Sequence, residues 1–128
     1  MEVVVSSILL SVKPEYVEQI FMGKKLFEYR KRQTRKSIHK IIIYATYPMM
    51  KVVGDVEIIG VISGSPTYVW EQTKQSAGIS RDRYMKYFKG SESAYAYQLG
   101  KTTVYELPKD LLEFGISYVP QSFIYIDE

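Results

Sequence analysis

Two runs, "HKIIIYAT" (39–46) and "VVGDVEIIGVIS" (52–63), most constrain what this chain can become. Both are apolar, rich in β-branched residues and of strand length. Branched side chains pack well on a pleated surface and lose rotamer freedom in a helix, so both read as central strands of a sheet. Gly54 and Gly60 mark bends or bulges in the second run.

The flanking segments supply the rest of a scaffold. "SILLSV" (7–12) reads as a short buried strand, and "PEYVEQIFMG" (14–23) as a helix with Pro14 at its first position and Gly23 past its end. Val17, Ile20 and Phe21 form its apolar stripe and read as core. "FEYRKR" (27–32) alternates, which predicts a strand with Glu28, Arg30 and Arg32 on one face and Tyr29 and Lys31 on the other. Helices are expected over 65–78, capped by Ser65 and Pro66, and over 80–90, capped by Ser80. "AYAYQL" (94–99) and "TTVYEL" (102–107) flank "GK" as a hairpin or as successive strands round a bend. A helical turn over 108–115 and a strand over 122–127 close the chain. Short strands punctuated by helices predict an α+β fold, a small curved sheet or barrel with short helices on its rim.

A length of 128 residues with 46% hydrophobic and 14% aromatic side chains is the size and composition of one folded domain, 1–128. No apolar run approaches the ~18 residues of a membrane helix, and "MEVVVSSILLSV" lacks the basic leading segment of a secretion signal. A cytoplasmic protein without membrane association is therefore expected. With no cysteine and a lone His39, no disulfide, metal site or cofactor is expected.

The net charge of +3 hides an uneven distribution. Residues 24–40 hold eight of the 17 basic side chains and one of the 14 acids, Glu28, a formal +7. The remaining nine bases and 13 acids leave −4 for everything else. Such a field attracts phosphate-bearing partners, RNA or a nucleotide first among them, although a solvated basic loop has the same composition.

Within that segment Gly23, Lys25, Glu28 and Arg30 form the pattern G-x-K-x-x-E-x-R, which resembles the signature of the ASCH domain, a branch of the PUA-like β-barrel superfamily. "SVKPEYVEQIFMGKKLFEYRKR" is similar to that family's opening strand, helix and signature strand. "IIIYATYPMMKVVGDVEIIGVI" resembles its central strands and "PQSFIYI" (120–126) its closing strand, so the likeness spans essentially the whole chain. The resemblance implies a mixed PUA-like barrel with a cleft lined by the signature residues, proposed for the family to bind RNA or modified nucleobases. Some relatives are amidohydrolases of N-acylated cytidine, others suspected nucleases or coactivator modules, so fold alone does not choose among them.

In such a cleft Glu28 would accept hydrogen bonds from a base amine while Lys25 and Arg30 hold phosphate or a carbonyl oxygen. If the chain were a hydrolase, Lys25 would be base or nucleophile and Glu28 the acid. The acylcytidine hydrolases carry Thr at the position of Glu28 and a further acid in a later helical segment, where Glu71 and Glu92 stand here without motif support. Gly23, Arg32, Tyr44 and Thr46 complete the candidate ligand-binding set, Tyr44 as a stacking platform or as packing. Trp70 reads as core. Arg81, Arg83, Lys86 and Lys89 with Tyr84, Tyr87 and Phe88 suit either a single-strand binder or an amphipathic helix. Ser122 faces the cleft or satisfies a strand end. A protein-interaction module whose basic segment meets an acidic partner is the third reading.

Overall fold

The computed structural model describes residues 6–127. Its strands are β1 (Ser6–Val12), β2 (Phe27–Arg30), β3 (Ile38–Ala45), β4 (Lys51–Gly64), β5 (Ala94–Lys109) and β6 (Phe123–Asp127). They form one sheet in the order β2-β5-β4-β3-β1-β6, with β1 parallel to β3 and every other pair antiparallel. Helices α1 (Pro14–Phe21), α2 (Pro66–Thr73) and α3 (Arg81–Phe88) are short, giving the expected α+β architecture.

The central strands are apolar on both faces because both faces are covered. Ile8, Leu10, Ile41 and Ile43 pack with Val17 and Ile20 of α1. Leu9, Ile42 and Tyr44 pack on the opposite face with Val52 and Ile116. A third cluster seats α2 and α3, through Val69, Trp70, Tyr84 and Phe88, against Tyr29, Ala94 and Ala96.

The sheet curls into a half-barrel, and contacts bridge its two ends: Arg30 Nη2 of β2 donates to Ser122 Oγ just before β6, and Tyr125 Oη of β6 accepts at 2.9 Å from the amide of Arg35, in the loop after β2. Ser11 ties β1 to the same stretch, its Oγ donating to the Pro120 carbonyl at 2.7 Å.

Four expectations are corrected. Residues 94–109 are one strand, neither a hairpin nor two strands, with its pairing to β4 shifted in register at "GK" between Leu99 and Thr102; the position a Gly100 Cβ would take lies 2.7 Å from Ile59 Cγ2, so this glycine permits close strand packing rather than a turn. The strand begun at Phe27 ends at Arg30, and Lys31 and Arg32 fall in the bend beyond it. The helix expected over 65–78 stops at Thr73 and continues as a 3₁₀ turn, Lys74–Ser76. The turn expected over 108–115 is narrower, Leu111–Phe114, with Asp110 and Glu113 forming a capping box. Among the described residues no helix is long and apolar enough to cross a membrane. Met1 to Val5, on which the reading of the N-terminal segment partly rested, lie outside the described residues.

Candidate functional site

Gly23 adopts φ +75°, and the chain reverses after α1 with the Lys24 and Lys25 amides both bonded to the Gln19 carbonyl at 3.0 Å. That reversal turns Lys25 inward, where it is only 4% exposed. Its Nζ donates to the Ala77 carbonyl at 2.9 Å and lies 4.9 Å and 5.4 Å from the ring centroids of Tyr29 and Tyr16. Gly78, at φ +65°, closes over the lysine stem: a Cβ there would stand 2.4 Å from Lys25 Cβ.

Glu28 and Arg30 are alternate residues of β2 and so share a face, with Arg30 Nη1 4.0 Å from Glu28 Oε1. Both point into a cavity of about 530 Å³ that Lys25 also lines. The end of β1 contributes Ser11, Val12 and Lys13, α1 contributes Tyr16, and α3 contributes Arg83, Lys86 and Tyr87. Five cations therefore surround a single carboxylate. Arg83 is held by Glu15 at 3.2 Å and by the Tyr16 hydroxyl at 3.1 Å.

Burial moves the central groups toward each other. Desolvation pulls the Lys25 ammonium below its ordinary value, against the attraction of Glu28. Desolvation pushes the Glu28 carboxyl up, against the pull of Lys25 and Arg30. Tyr29 is pushed up to about 12, chiefly by burial, and its hydroxyl donates to Thr73 Oγ1 at 2.8 Å.

Lys25, Glu28 and Arg30 thus converge on one concavity, and the remaining candidates separate from them. Gly23 is exposed and lines no part of the cavity; it makes the turn that delivers Lys25. Arg32 lies beyond the end of β2 and points to solvent. Tyr44 cannot serve as a stacking platform, because its ring is 2% exposed within the packing behind the sheet. Thr46 sits in the turn after β3, its amide bonded to the Val12 carbonyl at 3.0 Å, outside the cavity wall. Trp70 is core. On α3 the two faces separate: Tyr84 and Phe88 are buried, while Arg83, Lys86 and Tyr87 line the cavity.

Ser11, Lys13 and Tyr16 also line the cavity and were missed. Tyr16 stands beside the Val17–Ile20 stripe, a usable signal; Ser11 and Lys13 at a strand end carry none.

The ASCH domain profile matches residues 10–106. An "ASCH domain-containing ribonuclease" of Zymomonas mobilis is 33% identical over 92 residues, 71% of this chain and 62% of that protein. A protein of Ureaplasma parvum named "ATP synthase subunit alpha" is 30% identical over 126 residues, 98% of this chain and 16% of that protein. The chain therefore spans less than two thirds of either relative. The crystal structure of ASCH from Zymomonas mobilis superposes with a TM-score of 0.85 at 28% identity, covering 95% of this chain and 88% of that one.

Proposed function

This chain belongs to the ASCH domain family, and from that premise we propose that the cavity between α1, β2 and α3 binds single-stranded RNA. The observation that carries the reading is the wall itself, five cations and one carboxylate with the aromatic residues Tyr16 and Tyr87. Cations suit phosphates, and rings suit an unstacked base. An open concavity of about 530 Å³ has room for a nucleotide lifted from a strand. The name of the Zymomonas relative points to the same polymer.

The test is a titration of fluorescent single-stranded RNA, duplex RNA and free nucleotides by fluorescence anisotropy. Single strands are expected to bind most tightly, and Arg30→Ala is expected to weaken them. Equal affinity for duplex would overturn the reading.

RNA cleavage is the second reading, favoured by the buried Lys25 beside Glu28 with proton affinities drawn together. This reading requires a neutral Lys25, which would take the 2′-hydroxyl proton as that oxygen attacks phosphorus, and a protonated Glu28, which would give its proton to the departing 5′ oxygen. The products would be a 2′,3′-cyclic phosphate and a 5′-hydroxyl. Proton transfer of this kind contributes ~10²-fold or more, so Lys25→Ala should abolish turnover while leaving measurable RNA binding. Wild-type protein that leaves RNA intact would remove this reading and retain the first. N-acetylcytidine belongs in the same assay, since its hydrolysis would draw on the same pair.

A further inference from the structure

Glu28 is the chemical exception in the cavity wall. Lys13, Lys25, Arg30, Arg83 and Lys86 can only donate hydrogen bonds, whereas an ionised Glu28 can only accept them. Its side chain is 15% exposed, and its 4.0 Å approach to Arg30 Nη1 exceeds hydrogen-bond length. No hydrogen bond from a described residue reaches either carboxylate oxygen. Two adjacent acceptor atoms therefore stand open to whatever occupies the cavity.

The nucleobases differ in what they can offer such a pair. Guanine alone places two neighbouring donors, N1–H and N2–H, on its Watson–Crick edge. Adenine and cytosine place a donor beside a lone pair, which would face a carboxylate oxygen, and uracil has one donor between two carbonyls. A ribose diol could also offer two donors. Within a strand, though, its 3′ oxygen is esterified, and the diol is lost.

We propose that Glu28 reads a guanine in the bound RNA, its two oxygens accepting from N1–H and N2–H while Arg30 donates to O6. Arg30 is placed for this, since Ser122 holds its Nη2 and leaves Nη1 on the Glu28 side. The guanine is then fixed by one strand face, and Arg83 and Lys86 across the cavity are left for phosphate. The inference rests on the RNA-binding reading above and adds its base specificity.

The experiment titrates wild-type protein with uridine oligonucleotides that differ at one central nucleotide: guanosine, inosine, adenosine, cytidine or 2′-deoxyguanosine. Guanosine is expected to bind about tenfold or more tightly than adenosine, cytidine or the uridine parent. Inosine, which lacks the N2 amine, should lose most of that advantage, and 2′-deoxyguanosine should keep it. In Glu28→Gln one oxygen becomes a donor amide, so guanosine should weaken while adenosine or cytidine gains. The inosine arm needs no variant and stands even if Glu28→Gln folds poorly. Equal binding of all central bases would overturn the guanine inference and leave RNA binding intact. Loss on 2′-deoxy substitution without loss on inosine substitution would assign Glu28 to the sugar and overturn it too. No binding of any oligonucleotide would overturn the RNA reading, and the inference with it.

Discussion

A lysine that is 4% exposed has given up most of its hydration, so its surroundings must be built to hold it. Lys25 has the Ala77 carbonyl, two tyrosine rings and Glu28, and Gly78 packs directly on its stem. Two glycines with similar positive φ separate the cost of backbone conformation from the cost of that contact. Gly23 (φ +75°) has nothing within 4 Å of a built Cβ, whereas Gly78 (φ +65°) meets Lys25 at 2.4 Å. Gly23→Ala should cost about 1 kcal/mol of stability in urea unfolding. Gly78→Ala should cost a further ~1–3 kcal/mol from overpacking and also weaken RNA binding. Equal losses would mean that Gly78 does not position Lys25. Glu28 gives a pH prediction whose sign follows from its raised proton affinity. The folded chain binds that proton more tightly than the unfolded chain, so stability falls as pH climbs from 4.5 toward the folded value. Glu28→Gln lacks this loss. Its melting temperature should therefore improve relative to wild type as pH rises above 4.5, and a relative decline would mean that Lys25 and Arg30 outweigh burial.

Elements with local punctuation were legible. Pro14 opens α1, Ser65 accepts from the Tyr68 amide at the start of α2, and Ser80 accepts from the Arg83 amide at 3.2 Å at the start of α3. The central strands followed from their β-branched runs. What the sequence hid depends on tertiary contact. Gly100 looks like a turn until Ile59 is seen beneath it, and Pro108 looks like a strand end until it falls on a part of β5 that β2 does not reach. The signature residues were legible because β2 alternates, so Glu28 and Arg30 had to share a face. Tyr44 stayed open between stacking and packing because a tyrosine in an apolar strand gives no sign of which face is covered, and here both are. On α3 the mixture of charges and rings resolved only when two faces could be told apart. Because its cap holds the turn that carries Arg83, Ser80→Ala should cost about 1 kcal/mol and reduce RNA affinity modestly, read by thermal melts and anisotropy. Unchanged stability would show that the cap is idle.

At the scale of the molecule, the sequence concentrates positive charge in 24–40, and the fold divides it. Lys25 and Arg30 enter the cavity, while Lys24, Lys31, Arg32, Arg35 and Lys36 stay exposed. The loop that carries the last four of these is pinned by tyrosine hydroxyls, Tyr97 accepting from the Thr34 amide at 2.8 Å and Tyr125 from the Arg35 amide at 2.9 Å. Meanwhile α3, far beyond that segment in sequence, brings Arg83 and Lys86 to the cavity. Phosphate could thus meet the cavity, the loop or both, and salt dependence tells them apart. Each phosphate neutralised on a single strand contributes ~0.7 to the slope of log affinity against log salt. The decisive measurement is that slope for wild type, for Arg83→Ala/Lys86→Ala and for Lys31→Ala/Arg35→Ala/Lys36→Ala. If the cavity holds the RNA, the double variant should lose about 1.4 of slope along with affinity, whatever the loop variant does. A double variant that keeps the wild-type slope, with the loop variant losing it, would contradict the cavity as the RNA site.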